Sequence, residues 1–108
     1  MKIIAVLSMI LLLSSVAVAD VVTEFVDYAP GDAKLRGFMA WDEAVKGPRP
    51  GVLVIHDWMG EGPFDRDVSE KLARLGYVAF SADIYGVGIR PKDAKEAGAQ
   101  AGIYRKDR

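Results

Sequence analysis

The sequence predicts an α/β protein: an antiparallel β-hairpin followed by a parallel strand–helix–strand unit. Three observations carry this. Two runs of β-branched and aromatic residues, 21–28 and 35–41, flank a turn cluster. The run Gly51-Val52-Leu53-Val54-Ile55-His56 is continuously apolar up to its last residue rather than alternating. A helical period then separates it from a second apolar run, 77–82.

The elements follow in order. Met1-Lys2 is a short positive start, residues 3–13 are apolar, and Ser14-Ser15-Val16-Ala17-Val18-Ala19 is a run of small residues ending in an A-x-A site. This pattern predicts a secretory signal peptide over residues 1–19, cut before Asp20, and hence an exported, periplasmic or secreted chain. An apolar run of about 11 residues is too short to span a bilayer comfortably, which disfavours an uncleaved anchor. Residues 20–108 then form one domain of about 89 residues, roughly 45% hydrophobic, with a net charge near −2.

Val21–Tyr28 reads as a strand, Ala29-Pro30-Gly31-Asp32 as a turn, and Leu35–Trp41 as the partner strand. Asp42 to Pro50 is a loop. The run 51–56 has the signature of a strand buried on both faces. A loop with two glycines follows, and Pro63 opens a helix to about Leu75. Phe64, Val68, Leu72 and Leu75 share one face of it, with Asp65 and Asp67 in the first turn and Lys71 and Arg74 near the last. Gly76 is placed for a left-handed cap. Tyr77–Ala82 is the next buried strand, joined by a right-handed crossover. Residues 84–88 are loop. A weak alanine-rich helix starts at Pro91 or Lys92 and runs to about Ala101. No cap or closing strand follows before Arg108, and a parallel sheet needs both faces covered. These features predict the first part of a larger α/β domain.

Composition excludes several classes. The chain has no cysteine and one histidine. Disulfides, thiolate zinc sites, a cysteine nucleophile and a lipid-anchored cysteine are therefore absent from it. No basic patch suits nucleic acid; the densest cationic run, 105–108, has Asp107 inside it. After the leader no apolar run could serve as a membrane span. No His/Asp/Glu cluster has metal-ligand spacing, and no paired carboxylates suit glycoside chemistry.

Chemistry concentrates in two clusters at the carboxyl edge of the parallel strands, where ligand sites of open α/β sheets lie. One is His56-Asp57-Trp58-Met59-Gly60, just before a helix N-terminus. The other is Asp83-Ile84-Tyr85-Gly86. Each residue also has a plain structural reading. His56 can end a strand and bond a carbonyl, Asp57 can orient loop amides, Trp58 can cover the core, Asp83 can cap a turn, and Arg90 can be a solvated charge. No nucleophile elbow G-x-S-x-G is present. Ser69 falls on the polar side of the helix and Ser81 inside a strand. Gly60-Glu61-Gly62 with Asp83 about 21 residues on resembles a dinucleotide fingerprint. Asp65 stands where the third glycine would be, however, and would repel a pyrophosphate.

The blocks 51–60, Arg66-Asp67, 72–79 and Ala82-Asp83-Ile84-Tyr85-Gly86, in this order and spacing, resemble the dienelactone hydrolase family over nearly all of residues 20–108. The resemblance implies the N-terminal part of an α/β-hydrolase fold, incomplete in this chain. It implies hydrolysis of small, often cyclic, carboxylic esters and lactones without metal or organic cofactor. Asp57 matches the family's acidic residue beside the resting nucleophile, commonly Glu. Trp58 matches the residue whose backbone N–H serves the oxyanion hole. The nucleophile, acid and histidine base of the family fall downstream of residue 108. Val87 stands where the best-known members carry a substrate-carboxylate arginine; Arg90 lies nearby as a candidate substrate-binding residue. The expected partner is a small ester or lactone, and these residues alone are expected to be inactive. The other reading is a short non-catalytic binding or relic protein that keeps half the fold.

Overall fold

The computed structural model describes residues 18–106. Residues 1–17, which carry most of the expected signal peptide, lie outside the described residues, as do residues 107–108. The elements are β1 (Val21–Tyr28), β2 (Leu35–Asp42), β3 (Gly51–Ile55), α1 (Pro63–Arg74), β4 (Val78–Ala82) and α2 (Ala94–Lys106). They form one four-stranded sheet in the order β1-β2-β4-β3.

The hairpin forms as expected, with β1 antiparallel to β2 from Val21↔Asp42 to Tyr28↔Leu35. Opposed Phe25 and Phe38 pack edge to face, with ring centroids 5.5 Å apart, the cross-strand aromatic pairing that stabilises such ladders. The strand after the helix, β4, occupies the middle of the sheet. It runs antiparallel to β2 and parallel to β3.

That order corrects one expectation. β3 is an edge strand, and its residues alternate between half-buried and exposed. The register sets Val52 and Val54 opposite Ala79 and Ser81, on the face where Phe38, Ala40 and α1 lie. Leu53 and Ile55 fall on the other face by the two-residue pleat. They are 61% and 55% exposed, because no described helix covers that side and no described strand pairs with the outer edge of β3.

The face that α1 buries is also different from the expected one. The apolar residues Phe64 and Leu75 are 77% and 74% exposed, whereas Asp65, Ser69 and Ala73 are buried. Small side chains let the helix axis approach the sheet closely, and Ala73 meets Phe38 and Ala40 in the core, with Val21 packed alongside. Ser69 is therefore inside rather than on the polar side. Its Oγ donates to the Asp65 carbonyl at 2.8 Å, which removes the cost of burying a hydroxyl. The helix starts at Pro63, and the Asp65 carboxylate accepts the Gly62 N–H at 3.0 Å. It ends as the sequence implies. Gly76 adopts φ 97°, and the N–H groups of Gly76 and Tyr77 return to the carbonyls of Ala73 and Leu72, closing a Schellman motif.

α2 begins at Ala94, later than Pro91 or Lys92, and extends past Ala101 to Lys106. Asp93 sets the start, since its Oδ1 accepts the Glu96 N–H at 2.9 Å. Glu96 reaches back to the Lys92 N–H at 2.9 Å. The longer end is held from outside the helix, by Tyr104 stacking on Tyr85 at 5.6 Å. No helix among the described residues is long and apolar enough to cross a membrane.

Candidate functional site

The parallel pair β3/β4 ends at Ile55↔Ala82, so the segments His56–Gly62 and Asp83–Arg90 leave the sheet side by side. His56 ties them together. Its Nδ1 lies 2.6 Å from the Asp57 carbonyl, and its Nε2 accepts the Ile84 N–H at 3.2 Å. An Nε2 that accepts carries no proton, so Nδ1 does and is the donor to the carbonyl. The ring is buried and meets Tyr85 edge to face at 4.9 Å. The only histidine of the chain is thus a brace between two loops, its structural reading.

This brace orients one peptide unit. The Asp57 carbonyl accepts from His56 Nδ1 and from the Gly60 N–H at 3.2 Å. In a planar trans peptide the N–H of the next residue points the opposite way. The Trp58 N–H therefore faces away from His56 and Gly60, and no described residue accepts from it. The Asp57 side chain is exposed and caps the turn, its Oδ1 accepting the Met59 N–H at 2.8 Å. The Trp58 carbonyl accepts the Tyr85 hydroxyl at 2.8 Å. Burial pushes the Tyr85 phenol up, and the Asp57 carboxylate adds to the shift, so the hydroxyl stays a donor. Gly60 closes the turn at φ 88°, where a Cβ would stand 3.3 Å from the Tyr85 ring; both the left-handed backbone and the close approach require glycine.

Beneath the turn lies an ionic chain. Glu61 is 1% exposed. It accepts both Nε and Nη2 of Arg66 at 3.0 Å, pairs with Arg90 at 3.5 Å and receives the Ser81 hydroxyl at 3.4 Å. Arg90 also reaches Asp83 at 3.4 Å and the carbonyls of Gly86 and Ile89 at 3.0 and 2.7 Å. Asp83 is buried as well, accepting the N–H groups of Arg36 and Gly86. Tyr28 clamps its backbone, donating to the carbonyl at 2.6 Å and accepting the N–H at 2.9 Å. Two carboxylates and two guanidiniums balance, and no buried side-chain polar atom among the described residues lacks a partner.

The two clusters read from the sequence do meet at one edge. Asp57 and Trp58 stand at the surface of the turn, while Arg90 sits on a cleft wall with its charge shared between Glu61 and Asp83. Glu61 and Tyr28 were not legible as site residues, and Tyr85 was legible only as a member of the second cluster. Glu61 read only as the middle of a Gly-x-Gly loop, and no spacing rule pairs it with Arg66 across a helix N-terminus.

Two clefts flank Asp57. One, of about 470 Å³, runs along the start of α1 between Ile55, Phe64, Arg66 and Arg90. The other, of about 390 Å³, lies under the end of α2, between Trp58, Tyr85, Tyr104 and Arg105. No group of three His, Cys, Asp or Glu side chains among the described residues could hold a metal ion.

Comparison with known proteins matches residues 35–106 to the model of the dienelactone hydrolase family. A protein named as a hydrolase fragment, YghX of Escherichia coli (strain K12), is 30% identical over 66 residues, 59% of this chain and 56% of that protein. A protein named as a carboxymethylenebutenolidase from Aquifex aeolicus (strain VF5) is 37% identical over 65 residues, 57% of this chain and 27% of that one. The crystal structure of a dienelactone-hydrolase-like promiscuous phosphotriesterase from metagenomic libraries superposes with a TM-score of 0.74 at 32% identity. That match covers 81% of this chain and 36% of the other. The chain therefore spans about half of one of these proteins and about a third or less of the other two. Its four strands and two helices are part of an α/β-hydrolase fold, and the chain belongs to the dienelactone hydrolase family.

Proposed function

We propose that the chain supplies the N-terminal part of an exported esterase or lactonase that acts on small carboxylic esters, including cyclic ones. The observation that carries this is the Trp58 N–H, unpaired among the described residues and aimed by the braced Asp57 carbonyl of the same peptide unit. A fixed amide dipole of this kind stabilises the oxyanion of a tetrahedral intermediate without reorganising at the moment of reaction. In this reading a nucleophile supplied by residues beyond 108 attacks the ester carbonyl, and the Trp58 N–H holds the oxyanion. The alcohol leaves, and water hydrolyses the acyl-enzyme. Asp57 faces the resting nucleophile. Arg90 forms the substrate-facing wall of the larger cleft. Its charge is already balanced there by Glu61 and Asp83, which favours a neutral substituent on that side. The aromatic surfaces of Trp58, Tyr85 and Tyr104 suit a flat, unsaturated ring. The exposed apolar residues Leu53, Ile55, Phe64 and Leu75 also support the reading, since they suit contact with further parts of a larger domain.

The test begins with the reading frame past codon 108 and the intact mass of the native protein. A frame that continues into G-x-C-x-G or G-x-S-x-G, then an acid and a late histidine, is expected. The protein so defined should hydrolyse p-nitrophenyl acetate. Its Trp58→Pro variant, which has no N–H at that position, should lose at least about 100-fold in kcat. Turnover by the 108-residue chain that survives both Asp57→Ala and Trp58→Pro would remove the assigned site.

A further inference from the structure

The expected cleavage site, between Ala19 and Asp20, sits at the mouth of the sheet. Val18, Ala19 and Asp20 are exposed and precede β1. Asp20 itself is already docked. Its backbone N donates to Asp42 Oδ1 at 2.9 Å, and its carbonyl accepts the Glu43 N–H at 2.9 Å. Asp42 ends β2 opposite Val21, and only 5% of it is exposed. The same Oδ1 accepts the Ala44 N–H at 2.9 Å. These two amides, Asp20's first, hold the Asp42 carboxyl below the usual carboxylate range, and the Arg49 charge adds to the effect. A largely buried, ionised carboxylate thus has its oxygen on the first backbone nitrogen of the expected mature chain.

We propose that Asp42 is the receptor for the new N-terminus that processing creates at Asp20. Hydrolysis of the Ala19–Asp20 bond adds one water across it. The carboxylate stays with Ala19, and the freed Asp20 amine takes a proton. The amide N–H···carboxylate contact becomes an ammonium–carboxylate pair at the same site, which adds the attraction of opposite charges to a hydrogen bond that the carboxylate already assists. Cleavage then stabilises the register of β1 instead of leaving a ragged end. The charged groups around the ammonium are Asp42 on β2, Arg49 and Glu43 beyond its end, and the side chain of Asp20 itself. A cut one residue earlier would place the amine about 3.5 Å further along the chain, away from the carboxylate. The inference rests on the export reading, and its test separates the two.

The 108-residue precursor is expressed in an exporting bacterium, and the intact mass of the exported product gives its N-terminus. The rate at which an N-hydroxysuccinimide acetate reagent acetylates the N-terminal amine is then measured at neutral pH by mass spectrometry. It is compared with an Asp42→Asn variant and with a chain that starts at Ala19. The exported chain should start at Asp20, and its amine should react about tenfold more slowly than either comparator, the factor that a hydrogen bond to a charged partner supplies. The Ala19 chain keeps Asp42 and decides the matter even where Asp42→Asn fails to fold. Equal rates for the Asp20 and Ala19 chains would overturn the receptor while leaving export intact. An exported chain that starts at any other residue would overturn the receptor alone, and a chain retained uncleaved in the cell would overturn both.

Discussion

Replacing His56 by leucine tests the claim that this ring aims the Trp58 amide. The imidazole makes two bonds, one to the Asp57 carbonyl at 2.6 Å and one from the Ile84 N–H at 3.2 Å. Leucine fills a similar space and makes neither. The Asp57 carbonyl keeps the Gly60 N–H, so its loss is one ordinary hydrogen bond, about 1 kcal/mol. The Ile84 N–H loses its only partner among the described residues, and an unsatisfied, partly buried donor costs about 1–3 kcal/mol. The sum, about 2–4 kcal/mol, is a large share of the stability of an ordinary domain. Urea unfolding followed by tryptophan fluorescence measures it. The separate consequence is local: with its carbonyl released on one side, the Asp57–Trp58 peptide rotates more freely, and amide exchange at Trp58 and Met59 should quicken more than in α1. In the wild type, nitrogen NMR of the imidazole should show a protonated Nδ1 and a bare Nε2. A His56→Leu chain of unchanged stability with unchanged exchange at Trp58, or an imidazole in the opposite tautomer, would refute the reasoning.

Further expectations concern the supports around the turn. Glu61→Leu strips Arg66 and Arg90 of their shared partner, and unfolding should become easier by about 3 kcal/mol, the usual cost of removing one side of a buried pair. Tyr28→Phe leaves the Asp83 N–H without its acceptor and should cost about 1–3 kcal/mol in the same assay. Burial raises the Tyr28 phenol, so the folded state favours its neutral form. The stability this contributes is complete below the free phenol value, about 10, and is lost as pH rises through the folded value. Alkaline unfolding should therefore steepen above about pH 10, and less so in Tyr28→Phe. Finally, Leu53→Glu and Phe64→Lys, both on uncovered surface, should lower binding of a hydrophobic dye by the isolated chain without weakening its sheet. Undiminished dye binding would mean that the apolar surface lies elsewhere.

What could be read from the sequence divides along a physical line. The hairpin, its turn, the start of α1 and the Gly76 cap depend on neighbours within a few residues. Local chemistry decides them, and the expected bounds nearly coincide with the observed ones. The readings that failed concern partners distant in the chain. A continuous apolar run says that a strand is fit for burial, not that a cover is at hand. β3 has that composition, and yet Leu53 and Ile55 face outward. The helical period of Phe64, Val68, Leu72 and Leu75 marks an apolar stripe, but a helix can dock through a different one. In α1, Asp65, Ser69 and Ala73 win because small residues bring it close to Phe38 and Ala40. The two mismatches are of one kind: in each, an apolar surface lies where no described element covers it. The site shows the same divide. The place of Asp57 and Trp58 just past the end of β3 was legible because motif order and strand ends locate it. Glu61 was not, since its meaning depends on Arg66, Arg90 and Ser81, drawn from the helix, the next loop and the central strand. His56 holds both kinds of information. Its place at a strand end was readable, whereas its task, turning the Asp57–Trp58 peptide outward, depends on an Ile84 amide 28 residues away. The turn is therefore built from the inside: buried charges fix the loops, the histidine fixes one peptide, and that peptide turns the Trp58 amide outward.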